Sequence, residues 1–291
     1  TYNFMNKILL ITTGGTLACT MGENGLTPTM TGNDILKYSK HPEADITVLD
    51  CELIDSSIMT DRQRDEIADI IWENRDRYDS FVITHGTDSM SYTAAYLECA
   101  LKNFDKSIII TGAQYPLDTP DTDADDNLNL AIKTALQGYW GVCIAFADKL
   151  IPAKTAVKID TERKDAFVSS DEKYLTAPIA KPAAQPARNR ENHSVALIYI
   201  TPALTDSLLL ASGDCEKIIV LALGAGGMLK SHEAVLDKLH NELGKKIYLK
   251  SQCMYGDIEA LYEAHSGTKK FIPVNGSSIE WAVCAAKFDI I

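Results

Sequence analysis

The sequence predicts an α/β protein: a larger N-terminal domain with a mainly parallel sheet covered by helices, followed by a smaller C-terminal α/β domain. Aliphatic runs that read as buried strands, at 7–11, 81–84, 107–111 and 142–146, alternate with segments whose apolar residues recur at helical spacing. The intervals are long enough for helical crossovers, which make neighbouring strands parallel and cover the sheet on both faces. A stretch rich in proline and alanine, 176–194, then separates this series from a shorter one of the same kind. These features divide the chain into a catalytic domain over 1–177, a linker over 178–194 and a second domain over 195–291.

The first strand breaks into Thr13-Gly14-Gly15-Thr16, where glycines let another group approach the backbone and Thr16 faces the cleared space. Alone, this is equally a tight turn. The stretch 80–90 repeats the design, with Phe81-Val82-Ile83-Thr84 running into His85-Gly86-Thr87-Asp88-Ser89-Met90, so two strands deliver Thr16 and Thr87 to one sheet edge. Ligands of such sheets sit outside the carboxyl ends of the strands. Between the two motifs, 20–30 reads as a polar loop with Gly22 and Gly25 as hinges, either a lid or an ordinary surface loop.

Thr60-Asp61-Arg62-Gln63 fits a capping box opening a helix through Ile67, Ile70, Ile71 and Asn74. Helices are predicted over 89–101 and 128–137. Beyond the linker, strands at 195–200, 218–223 and 247–249 alternate with helices near 205–211, 231–243 and 278–287. There is no internal repeat.

The 291 residues carry a net charge of -12, which argues against a phosphate-backbone contact surface and suits a soluble protein acting on a small molecule. The 7 cysteines are scattered singly with no C-x-x-C, as in a reducing compartment. No apolar run reaches the length of a membrane span and no leader pattern is present, so the expected location is cytoplasmic, with Met5 a candidate natural start.

Other patterns lack what their chemistry needs. Gly224-Ala225-Gly226-Gly227 has Leu229 where a dinucleotide fingerprint wants its third glycine. The acidic loop Asp118, Asp121, Asp123, Asp125, Asp126 opens like a calcium loop but lacks the glycine and the bidentate glutamate, so it reads as solvated or substrate-facing. No histidine pair has zinc-ligand spacing, and G-x-S-x-G is absent. His85 is a candidate base, or else a residue that holds the loop by hydrogen bonds.

The two threonine motifs together resemble the signatures of the bacterial-type L-asparaginase family, cytoplasmic type I-like members included. The similarity extends through Thr111-Gly112-Ala113-Gln114-Tyr115-Pro116, 125–130, Lys158 and Gly224 to Gly227. It implies an amidohydrolase that converts L-asparagine to L-aspartate and ammonia without metal or cofactor, assembled as a homodimer or homotetramer. An amide is a poor electrophile, so covalent catalysis through a threonine acyl-enzyme suits the task. The resemblance makes Thr16 the nucleophile and Thr87, Asp88 and Lys158 a relay, with Lys158 the proton acceptor. It places Gly15, Ser56, Ser57, Gly86 and Ala113 against the substrate, Asp88 facing its ammonium and Ser56 its carboxylate.

Two departures stand out. Ser57 replaces a glutamine, and Leu26 occupies the place of a loop tyrosine whose hydroxyl contacts the nucleophile, leaving Thr27 the nearest hydroxyl in sequence. Two other readings fit the same fold: the glutaminase-like amidase of a tRNA-dependent amidotransferase, and a catalytically silent amino-acid sensor. The first lacks a basic RNA-contacting extension here, and the second has no use for a base beside a second hydroxyl.

Overall fold

The computed structural model of the protein describes residues 6–22, 25–177, 181–259 and 267–291. Met5 and Pro178 fall outside them. The chain divides into two compact units, Thr1–Asn189 and Arg190–Ile291.

In the first unit β1 (Lys7–Thr12) leads through a 3-10 turn into a hairpin of β2 (Cys19–Gly22) and β3 (Gly25–Pro28). Then come α1 (Gly32–Leu36), β4 (Asp45–Asp50), α2 (Asp61–Asn74), β5 (Ser80–Thr84), α3 (Met90–Ala100), β6 (Leu101–Lys102), β7 (Ser107–Thr111) and α4 (Ala124–Gln137). The unit closes with β8 (Gly141–Phe146), β9 (Lys149–Pro152), the pair β10 (Ala156–Lys158) and β11 (Phe167–Ser169), and β12 (Ala187–Arg188). The central sheet has the order β4-β1-β5-β7-β8-β9, parallel except for β9, which runs antiparallel to β8.

Strand alternation divides the core. Ile8, Leu10, Val82, Ile109 and Cys143 pack in one cluster with Leu128, Ala131, Ile132 and Ala135 of α4. Their neighbours Leu9, Ile11, Phe81, Ile83, Ile108 and Ile110 are equally buried and point to the opposite face. A sheet buried on both faces needs the unbroken aliphatic runs that announce these strands in the sequence.

The polar segment 20–30 is not a loop for most of its length. Thr20 pairs with Thr27 and Met21 with Leu26 in the antiparallel β2–β3 hairpin, although Glu23 and Asn24 lie outside the described residues. Its Gly and Thr content conceals a strand pair that has no core face of its own. The edge strand β4 escapes the sequence reading too, because half of its residues are exposed and its aliphatic content is low.

Within 178–194, Ala187–Arg188 pairs with Leu101–Lys102, and the Arg188 guanidinium donates to Asp65 at 2.6 Å and to Asp69 at 2.8 Å on α2. These residues belong to the first unit.

The second unit carries a parallel sheet in the order β13 (Val195–Tyr199), β14 (Lys217–Ala222), β15 (Lys246–Ser251), β16 (Ile272–Pro273), with α5 (Asp206–Ala211), α6 (Lys230–Asn241) and α7 (Ile279–Lys287). Ile218, Val220, Ile247 and Leu249 pack with Leu236 and Leu239 of α6, while Ile219, Leu221 and Tyr248 pack with Ala282 and Ala286 of α7. The Ser278 hydroxyl accepts from Trp281 N at 3.1 Å and caps α7. Removing that cap in Ser278→Ala should destabilise the protein by about 1 kcal/mol while Ser278→Thr stays near wild type, read from urea unfolding midpoints.

Candidate active site

The order of the sheet selects where a ligand can sit. From β1 the chain moves to β4 on one side, and from β5 it moves to β7 on the other, so the loops after β1 and β5 diverge. The crevice between diverging loops at the carboxyl ends of adjacent parallel strands is the usual ligand position in such sheets. These are the loops that carry Thr16 and Thr87.

Close backbone packing shapes the crevice. Gly15 has φ 82°, and a β-carbon there would lie 2.4 Å from Gly86 N. One on Gly86 would lie 2.6 Å from Ser56 Oγ. Three loops, those after β1, β4 and β5, thus touch at points where only hydrogen fits. Ser56 opens a 3-10 turn capped by Asp55, whose carboxylate accepts from Ser57 N at 2.8 Å. Ser89 Oγ donates to Ser56 O at 2.6 Å, tying the β4 loop to the β5 loop.

A cavity of about 290 Å³ opens there. Gly15, Thr16, Ser56, Gly86, Thr87, Asp88 and Lys158 line it together. Lys158, at the end of β10, donates from Nζ to Thr87 Oγ1 at 2.9 Å and to Asp88 Oδ1 at 2.7 Å. The Lys158 side chain is 17% exposed against 61% for Asp88, so the pair spans the boundary between protein and solvent. The Thr87 hydroxyl donates a hydrogen bond to Gln114 Oε1 at 3.2 Å.

Gln114 is a wall residue that motif reading left unassigned. The acidic loop explains its position: Asp123 accepts from Gln114 N at 3.0 Å and from Tyr115 N at 2.9 Å. Asp125 is engaged as well, by Lys40 at 2.6 Å and Asn129 at 2.8 Å. These carboxylates therefore bind the chain itself.

The hairpin forms another wall, contributing Cys19, Leu26 and Pro28. Leu26 and Pro28 are two apart on β3 and share a face, so Thr27 between them points elsewhere and does not line the cavity. Cys19 donates to Gly15 O at 3.3 Å, and burial, followed by the Asp55 charge, pushes its thiol above the ordinary range, keeping it protonated. Asp55 and Thr161 complete the lining.

Two expected substrate contacts are absent from the wall. Ser57 is exposed, because the turn begun by Ser56 carries the next side chain outward. Ala113 is fully buried in the core cluster beneath the site. A larger cavity, about 400 Å³, lies between β4 and α2 behind the first loop. Its lining includes Thr13 and five carboxylates but no lysine or histidine, so it lacks a candidate proton acceptor of that kind.

His85 does not reach the cavity. It is fully buried, with Nδ1 2.7 Å from Gly86 O and Nε2 2.9 Å from Thr93 Oγ1. Burial brings its pKa down to about 4, so the ring is neutral at physiological pH and holds the loop. An unfolded histidine binds its proton near pH 6.5, whereas the folded one resists until about pH 4, so acid favours the unfolded chain across that window. This group alone should lower the unfolding free energy by about 3 kcal/mol between those limits, and His85→Asn should flatten the pH dependence there, measured by urea titrations at stepped pH.

The family described as "Asparaginase, N-terminal" matches residues 7–187. The chain is 28% identical over 269 residues to an L-asparaginase of Thermococcus kodakarensis, covering 87% of this chain and 82% of that one. It is 35% identical over 171 residues to L-asparaginase 1 of Escherichia coli, covering 56% of this chain and 50% of the relative. It is 37% identical over 240 residues to the human 60 kDa lysophospholipase, covering 75% of this chain and 41% of the relative. The chain thus spans half or less of those last two proteins. The solved thermostable L-asparaginase of Thermococcus kodakarensis superposes with a TM-score of 0.89 at 26% identity, covering 98% of this chain and 92% of that one. With the matched region running from β1 to β12 and so containing every wall of the cavity, the chain belongs to the asparaginase family.

Proposed function

We propose that this protein hydrolyses L-asparagine to L-aspartate and ammonia through an acyl-enzyme on Thr16. The observation that carries the reading is the Lys158 contact to both Thr87 and Asp88 on the wall of the cavity that Thr16 also lines. In the first half, Thr16 Oγ attacks the side-chain amide carbon, its proton passes to the relay and on to the amide nitrogen, and the C–N bond breaks to release ammonia and leave the Thr16 ester. In the second, water attacks the ester, the Thr16 oxygen recovers its proton, and aspartate leaves. Asp88 and Asp55 suit the α-ammonium, and Ser56 suits the α-carboxylate.

Lys158 donates to two oxygens at rest, and the proton-accepting role assigned to it requires the neutral amine. The Thr87 hydroxyl then turns from Gln114 Oε1 to Lys158 Nζ. Seven free cysteines are consistent with a cytoplasmic setting, and among the described residues no helix is long and apolar enough to cross a membrane. Assembly as a homodimer or homotetramer belongs to the same reading.

Thr16→Ala and Thr87→Val should each lower kcat by about a thousandfold or more with little change in Tm, since each removes a small polar group at a loop. Lys158→Arg should be equally inactive because it keeps the charge and cannot accept a proton. Ammonia release from L-Asn, L-Gln and D-Asn measures these outcomes. Preference for L-Gln would favour the amidotransferase reading, and absence of turnover on all three would favour a sensor.

The hairpin wall generates a separate expectation. Leu26 cannot assist Thr16 by hydrogen bonding, and Thr27 is not on the cavity wall. Leu26→Tyr should raise kcat, while Thr27→Val should leave it within about tenfold of wild type. Steady-state ammonia release on both variants checks this, and a collapse in Thr27→Val would show that the hairpin turns Thr27 inward during the reaction.

A further inference from the structure

The structure assigns a positioning role to three buried side chains behind the catalytic loop. We infer that Arg64, Thr93 and His85 form a one-way chain of proton donation that ends on the Gly86 carbonyl and sets the Gly86–Thr87 peptide.

The direction follows from either end. Arg64, on α2, has no acceptor atom, so its Nε donates to Thr93 Oγ1 at 3.1 Å. At the other end His85 Nδ1 lies 2.7 Å from Gly86 O, a separation at which a bare nitrogen and a carbonyl oxygen would repel. Nδ1 therefore carries the proton. A neutral ring then leaves Nε2 as an acceptor, and the Thr93 hydroxyl, 2.9 Å away, supplies its proton there.

The competing partners are weak ones. Met59 Sδ lies 3.2 Å from Nε2 and 3.7 Å from Thr93 Oγ1, and a thioether accepts poorly. Arg64 is fixed in turn by the Met59 carbonyl at 3.1 Å and faces Asp61 at 3.6 Å. All four of Met59, Arg64, His85 and Thr93 are under one-tenth exposed, so water does not supply alternative partners for the ring.

The Gly86 carbonyl shares its peptide with Thr87 N–H, which donates to no other group among the described residues and lies in a residue of the cavity wall. Donation to the carbonyl holds the peptide plane and polarises the N–H outward. It also fixes the backbone from which Thr87 Oγ1 meets Lys158. The buried guanidinium thus acts on the reaction through two intermediaries and touches no substrate.

Histidine-selective 15N labelling tests this directly. Long-range proton–nitrogen correlation spectra of the wild-type protein at neutral pH should place the His85 proton on Nδ1 alone, and a proton on Nε2 would overturn the inference. Thr93→Val should release the tautomer preference and lower kcat by about tenfold with KM changed by less than about threefold, whereas Thr93→Ser should restore both. Wild-type kcat in Thr93→Val, or a failure of Thr93→Ser to rescue, would also overturn it. Should Thr93→Val not fold, the wild-type spectrum and the serine variant decide. The kinetic arm rests on the asparaginase reading. A wild-type protein that releases no ammonia would sink that reading, while the spectrum still reports the proton chain.

Discussion

Everything at the site depends on how closely the loops after β1, β4 and β5 approach one another. A single methylene at Gly15 or Gly86 would collide with backbone or with Ser56, and the contact is rigid because each loop is tied elsewhere. Thr13 N donates to Thr84 O at 3.1 Å, Ile54 N to Thr13 O at 3.0 Å, and His85 N to Thr111 O at 2.8 Å. Strand ladders continue past the strand ends as these single bonds, so Thr16 and Thr87 inherit the precision of the sheet although both sit on loops. Catalytic groups on loops work well when a scaffold of this kind fixes them.

Electrostatics builds on that frame. Among the described residues the cavity brings one lysine together with two aspartates, Asp55 and Asp88, and no other charged side chain. In the proposed reaction a zwitterionic amide would add an ammonium and a carboxylate to this set without changing its sum, while its acid product would add a further negative charge. The charge balance therefore suits neutral-side-chain amides better than their acids, in keeping with the proposed hydrolysis.

What the sequence discloses follows burial. Strands covered on both faces write their presence as aliphatic runs, so β1, β5, β7 and β8 are legible, as are helices with one apolar face such as α2 and α6. The β2–β3 pair is short and lacks a core face, and the β10–β11 strands, though they bury Ala156 and Phe167, are only three residues each, so periodicity has little to report for either. The same division holds at the site. Thr16, Thr87 and Asp88 are picked out by the two strand-end motifs, and Lys158 by the family resemblance alone. Gln114 and Asp55 enter the wall through packing of loops distant in sequence, which no local pattern encodes. Ser57 shows the converse: a residue adjacent to a wall residue is read as its partner, although the 3-10 turn carries it out of the cavity.

The hairpin makes the link between register and function most direct. Pairing of Met21 with Leu26 and of Cys19 with Pro28 leaves Cys19, Leu26 and Pro28 on the cavity wall. A slip of one residue would place Thr27 there instead and exchange an apolar wall for a hydroxyl. Because the hairpin continues without a break from the turn that begins at Thr16, its register is fixed at the Thr16 end. Met30 N and Thr29 N both donate to Ala18 O at 3.0 Å, closing the returning strand onto the same turn. The turn that carries Thr16 thus sets the position of the apolar wall above it, and the polar groups facing Thr16 across the cavity come from Thr87, Lys158 and Asp88.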